Sequence, residues 1–121
     1  MVSGRVLVIG LDPTRLSGWD PEPVVAAIRR GEARFAELGI DADTVLIAVD
    51  DNAEETIVEA LTRSEYACVV IGGGIRKHEP YLEFFEKLVN LVRLHAPGAA
   101  IAFNSSPEDT ADAALRGLRQ Q

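Results

Sequence analysis

Cys68-Val69-Val70-Ile71-Gly72-Gly73-Gly74-Ile75-Arg76-Lys77-His78-Glu79-Pro80 runs from an unbroken apolar tract through three glycines into a small basic cluster. An apolar run with no polar alternation predicts a strand covered on both faces, here over residues 66–71. The glycines end it, and Pro80 suits the opening of a helix, because its missing N–H would be unbonded there in any case. The stretch is therefore one strand–turn–helix unit. The rest of the chain repeats the pattern on either side.

Upstream, residues 5–11 form a second β-branched apolar run, closed by Asp12-Pro13. Asp20 and Pro21 signal a helix start, Val24, Val25, Ile28, Phe35 and Leu38 fall near one helical stripe, and Gly39 is a stop. This predicts a helix over 21–38. Gly31 inside it costs about 1 kcal/mol against alanine unless a close contact requires the missing side chain. Residues 44–49 read as the next strand, and Asp51 with Glu54 have the spacing of a capping box before a helix carrying Ile57, Val58 and Leu61.

Downstream, the longest helix is expected over 81–95, stopped by Pro97 and Gly98, followed by a short strand over 99–103. Ser106-Pro107-Glu108-Asp109 supplies a cap, a first-position proline and acidic residues for a terminal helix. Four strands, each followed by a helix, define an α/β chain: a three-layer αβα sandwich on a four-stranded parallel sheet. Right-handed crossovers that cover both faces require one reversal of direction, so the expected strand order is 2-1-3-4. With no internal repeat or linker, a single domain is expected over 1–121.

Composition restricts the partners. The chain has 121 residues, with 12 Lys plus Arg against 19 Asp plus Glu and a net charge of -7, which disfavours nucleic acid and anionic lipid as general partners. No apolar run approaches the roughly 18 to 20 residues that span a bilayer. One cysteine excludes an intrachain disulfide, and the amino terminus lacks the pattern of a secretion signal, so a cytoplasmic protein is expected.

In sheets of this kind ligands sit beyond the carboxyl ends of the strands, at the crevice where the order reverses. That crevice is lined by Asp12, by Gly72, Gly73 and Gly74, and by Arg76, with Asn104 and Ser105 one strand along. Glycines let a ligand approach the main chain, Arg76 offers a fork for phosphate or carboxylate, and His78 offers an imidazole. A small anionic ligand is expected there, with His78 as the candidate acid or base of a hydrolase or isomerase and Asp12 or Asn104 as its partners. The plainer reading is a tight turn flanked by solvated charges.

Asp12, Asp50 and Asp51 follow adjacent strands and offer a weaker Mg²⁺ alternative, similar in part to receiver domains and haloacid-type phosphatases. Asp12-Pro13-Thr14 lacks the second aspartate of the phosphatases, and a receiver's lysine after a fifth strand is missing, so no metal ligand is assigned. The sequence leaves the cofactor unknown. The dinucleotide fingerprint, the phosphate loop and the G-x-S-x-G elbow are all lacking.

On the helix over 81–95, Phe84, Phe85, Leu88, Val89, Leu91 and Val92 cover an arc of about 160°, more than a sheet-packing stripe needs. A homodimer through the face between Tyr81 and Val92 is expected from this width. Val70 to Arg76, the run 85–90, Ala96-Pro97, Phe103-Asn104 and the run 107–110 together resemble a group of small uncharacterised α/β proteins of bacteria and fungi. The resemblance covers about the second half of the chain and implies a Rossmann-like or flavodoxin-like fold. It transfers no catalytic role. The alternative to a small-molecule binder is a receiver-like regulatory or interaction module acting through the dimer face.

Overall fold

The computed structural model describes residues 4–120. The elements run β1 (Val6–Leu11), α1 (Glu22–Glu37), β2 (Ala42–Ile47), α2 (Ala53–Arg63), β3 (Cys68–Ile71), α3 (Gly73–Arg76), α4 (Leu82–His95), β4 (Ala100–Phe103) and α5 (Thr110–Arg119). Short 3-10 turns lie at Pro13–Arg15, Glu79–Tyr81 and Pro107–Asp109. The four strands form one parallel sheet in the order β2-β1-β3-β4, as the connection rules require. This is the three-layer sandwich of the flavodoxin-like and Rossmann-like folds.

The missing alternation in the strands has a direct cause. Leu7, Ile9, Val69 and Ile71 point into one core, with Ile57 and Leu61 from α2 and Leu88 and Val92 from α4. Their chain neighbours Val6, Val8, Cys68 and Val70 point the other way, toward Phe35 of α1 and Ala111, Ala114 and Leu118 of α5. Both faces of the central strands are covered by helices. Each fully buried aliphatic side chain here stabilises the fold by about 1.5–3 kcal/mol.

Small residues decide how closely the helices approach. A Cβ on Gly117 of α5 would lie 2.5 Å from Cys68 Sγ, and a Cβ on Gly31 of α1 would lie 2.3 Å from the Pro107 carbonyl oxygen. Close packing therefore explains the glycine inside α1. Its position is also tied by Arg30 to Glu108 at 3.1 Å and by Arg34 to Asp112 at 3.0 Å.

Several boundaries differ from expectation. β2 begins at Ala42 and ends at Ile47, two residues earlier than the apolar run suggests, because it extends alongside β1 from the Val6–Ala42 pair onward. β3 begins at Cys68; Tyr66 precedes it and bonds its hydroxyl to Asp43 at 2.8 Å. No capping box forms at Asp51 and Glu54: α2 starts at Ala53, and Asp50 accepts the Asn52 N–H at 2.9 Å. α1, with 16 residues, exceeds α4, with 14, because the Glu79–Tyr81 segment winds as a 3-10 turn.

At the start of α1 the Asp20 carboxylate accepts the Glu22 N–H at 3.1 Å, and Gly39 takes the left-handed conformation beyond the helix end, φ 69°. On α4, Leu88, Leu91 and Val92 are buried and Phe84, Phe85 and Val89 half-buried, which uses most of the wide arc within the chain. Leu82 and Leu94 stay about 60% exposed. Among the described residues no helix is long and apolar enough to cross a membrane.

Candidate functional site

The glycine stretch is a short helix, and what holds it is an inter-strand clamp. β3 ends at Ile71, and residues 73–76 turn once as α3, burying Ile75 in the core. Asn104, at the exit of β4 and 5% exposed, accepts the Gly73 N–H through Oδ1 at 2.8 Å. Its Nδ2 donates to Thr110 Oγ1 at 2.8 Å, and Thr110 donates on to the Pro107 carbonyl at 2.7 Å. One buried amide thus joins the β3 turn, the end of β4 and the start of α5.

The two cations reinforce the same joint. Arg76 donates to the Asn104 carbonyl and lies over the Phe103 ring, 5.6 Å from its centroid. Its Nε is buried and has no acceptor among the described residues. Lys77 Nζ donates to the Ser105 carbonyl at 2.6 Å. Neither is merely a solvated charge.

Ser105 is held from the other side. Its N–H donates to Asp109 at 3.0 Å, its hydroxyl donates to the same carboxylate, and the Ser106 N–H reaches Asp109 at 3.1 Å. Partial burial works against ionisation of Asp109, yet these bonds prevail and hold its carboxyl below the ordinary aspartate value.

Beside this joint opens a cavity of about 480 Å³. Its floor is a patch of four residues on one sheet face, Val8 and Gly10 of β1 beside Thr44 and Leu46 of β2. Its roof is the stripe Val24, Ile28, Gly31 and Phe35 of α1, spaced as one helical face. The mouth lies at the carboxyl ends of the strands. Gly72, Gly73 and Gly74, then Lys77 and His78, form one side of it, and Asn104, Ser105 and Ser106 another. Leu11, Pro13, Leu16 and Trp19 complete the rim.

Of the residues expected at the site, the structure therefore brings six to the cavity: the three glycines, His78, Asn104 and Ser105. Asp12 and Arg76 stand outside its lining. Asp12 caps the Pro13–Arg15 turn, accepting the Thr14 N–H at 2.9 Å and the Thr14 hydroxyl at 2.6 Å. His78 is exposed, its ring edge-on to Tyr81 at 4.5 Å, and among the described residues no side chain hydrogen-bonds to it.

Asp50 pairs with Arg15 at 2.8 Å, and among the described residues no three His, Cys, Asp or Glu side chains are grouped as a metal ion would need. Cys68 is fully buried, and burial pushes its thiol up to about 11, which makes it a core residue rather than a nucleophile.

The apolar wall was not legible as a site. Val24, Ile28 and Leu46 have the pattern of core residues, and only Gly10, a glycine inside a strand, hinted at space next to it. Lys77 was legible as a cation, but its place at the mouth depends on the turn of α3. No family model, curated protein or solved structure matches this sequence.

Proposed function

We propose that the chain is a cytoplasmic binder of a small molecule, with the anionic group of the ligand seated at the mouth between β1 and β3. The observation that carries this reading is a coincidence of place. A cavity of ordinary small-molecule size opens where the strand order reverses, and its mouth gathers Gly72, Gly73 and Gly74 with Lys77 and His78. The glycines admit a ligand to the main chain, and the Lys77 ammonium, with one of three donors used on Ser105, has two left for an anion. The kinship with the group of small α/β proteins is part of the same reading and adds no activity to it.

Binding is the simpler reading, because among the described residues no side chain hydrogen-bonds to His78 and the two expected partners are engaged elsewhere, Asn104 with Gly73 and Thr110, and Asp12 with Thr14. A hydrolase or isomerase step through His78 is the catalytic extension, reached only if substrate supplies that partner. A thermal-shift screen of inorganic phosphate, nucleotides and small carboxylates tests the binding reading. An anion at about 100 times its Kd should stabilise the wild type by about 2.7 kcal/mol. Lys77→Gln, which keeps a donor for Ser105, should weaken that effect; if no anion raises the melting temperature, the reading is lost.

A second reading, the homodimer, is supported by the exposed Leu82 and Phe103 and by the half-buried Phe85, whose ring meets Phe103 at 5.9 Å.

A further inference from the structure

The cavity is far more apolar than an anion alone would need. Behind its polar mouth, Val8, Leu46, Val24, Ile28 and Phe35 face one another across a gap that the fold leaves unclosed. Leu46 is 37% exposed on a sheet face that a helix spans, and Val24 and Ile28 are only half-buried on the face of α1 that should be its driest.

Two features keep the gap open. α1 makes its closest packing with the Pro107–Asp109 turn and α5, at Gly31, rather than with β1 and β2. Gly10 then removes the side chain that would fill the floor. A Cβ there would meet only Leu46, at an ordinary 3.5 Å, and Gly10 is not among the residues with positive φ. Neither local space nor backbone conformation demands glycine at position 10. In a strand that choice weakens the sheet, and it is characteristic of places where a ligand comes close.

Charge gives the cavity a direction. Lys77 and His78 stand at the mouth, whereas the far end carries Glu32 and continues into a cleft lined by Glu32 and Asp41. An anion is favoured at one end only.

We infer that the ligand is amphipathic: an apolar chain or ring lying between α1 and the β1–β2 floor, carrying one carboxylate or phosphate monoester group at the Lys77 end. This rests on the small-molecule reading above and names the class of molecule. It also assigns Gly10 and Leu46 as residues that set how long a chain is accepted.

Trp19, the sole tryptophan, stands on the rim and reports binding by its fluorescence. The titration series is acetate, butanoate, hexanoate and octanoate, with inorganic phosphate against phenyl phosphate, and 1-hexanol as the uncharged match to hexanoate. Affinity should rise about fourfold per added CH₂ until the gap is full. Gly10→Val should fold at least as stably as the wild type and lose that gain, with Gly10→Ala intermediate; if the valine variant is unfolded, the alanine variant carries the comparison.

Equal affinity along the series, with short anions still bound, would overturn the amphipathic ligand and leave the anion site standing. The inference also fails if the folded Gly10 variants bind hexanoate as the wild type does. Should 1-hexanol bind as tightly as hexanoate, the anion reading fails and the apolar seat survives. No response to any probe overturns both.

Discussion

Asn104 shows at the scale of one residue how a correct location can conceal a different job. Its position after a strand made it a plausible ligand contact, and it does line the cavity, but both ends of its amide are already spent on Gly73 and Thr110. A sequence shows that a polar side chain leaves a strand; it does not show which backbone group will come to meet it. Asn104→Ala would strip the Gly73 N–H of its acceptor and leave the Thr110 hydroxyl bonded to the Pro107 carbonyl alone, and should cost about 2–4 kcal/mol in urea unfolding. Cys68 gives a second test. Its thiol is raised from 9.0 to about 11 by burial, so the folded state favours the neutral form. That contribution is complete below pH 9 and is lost as the pH rises through about 11, by about 3 kcal/mol in all. Tyr66 is raised as well, by burial and then by Asp43, so comparing wild type with Cys68→Ala at pH 8 and pH 10.5 separates the thiol: the variant should lose less stability between the two.

At the scale of elements, the strand order was readable from apolar runs and connection rules, and the structure has that order. The strand and helix ends were less legible, because pairing with β1 decides where β2 stops and the Asp50 turn overrides the capping-box pattern at Asp51. α1 is the instructive case. Its apolar stripe reads the same whether it presses on a sheet or roofs a cavity, so the gap beneath it had no signal in the helix itself. Gly31 did have one, as a costly residue that needed a reason. Gly31→Ala gains about 1 kcal/mol of helix propensity, yet its Cβ would meet the rigid Pro107 carbonyl at 2.3 Å. The displacement of α1 should outweigh that gain, leaving the variant less stable than the wild type by about 1–2 kcal/mol in thermal melting.

For the whole molecule, the width of the α4 face and the glycine turn pointed to two different kinds of partner. Most of the wide face is taken up inside the chain, and Leu82, Leu94 and Phe103 remain on the surface. If these form a two-fold contact, sedimentation equilibrium should give a mass that rises toward twice the protomer with concentration and falls back in Phe103→Glu; a constant 13.1 kDa species would dismiss the dimer. The small-molecule reading rests on more, because the apolar gap over β1 and β2 opens through a polar mouth at the strand reversal. The most direct test is a crystal structure of the protein grown with hexanoate. The account predicts its carboxylate beside Lys77 and its chain between Ile28 and Leu46. A map in which hexanoate lies elsewhere, with only water between α1 and the sheet, would contradict it.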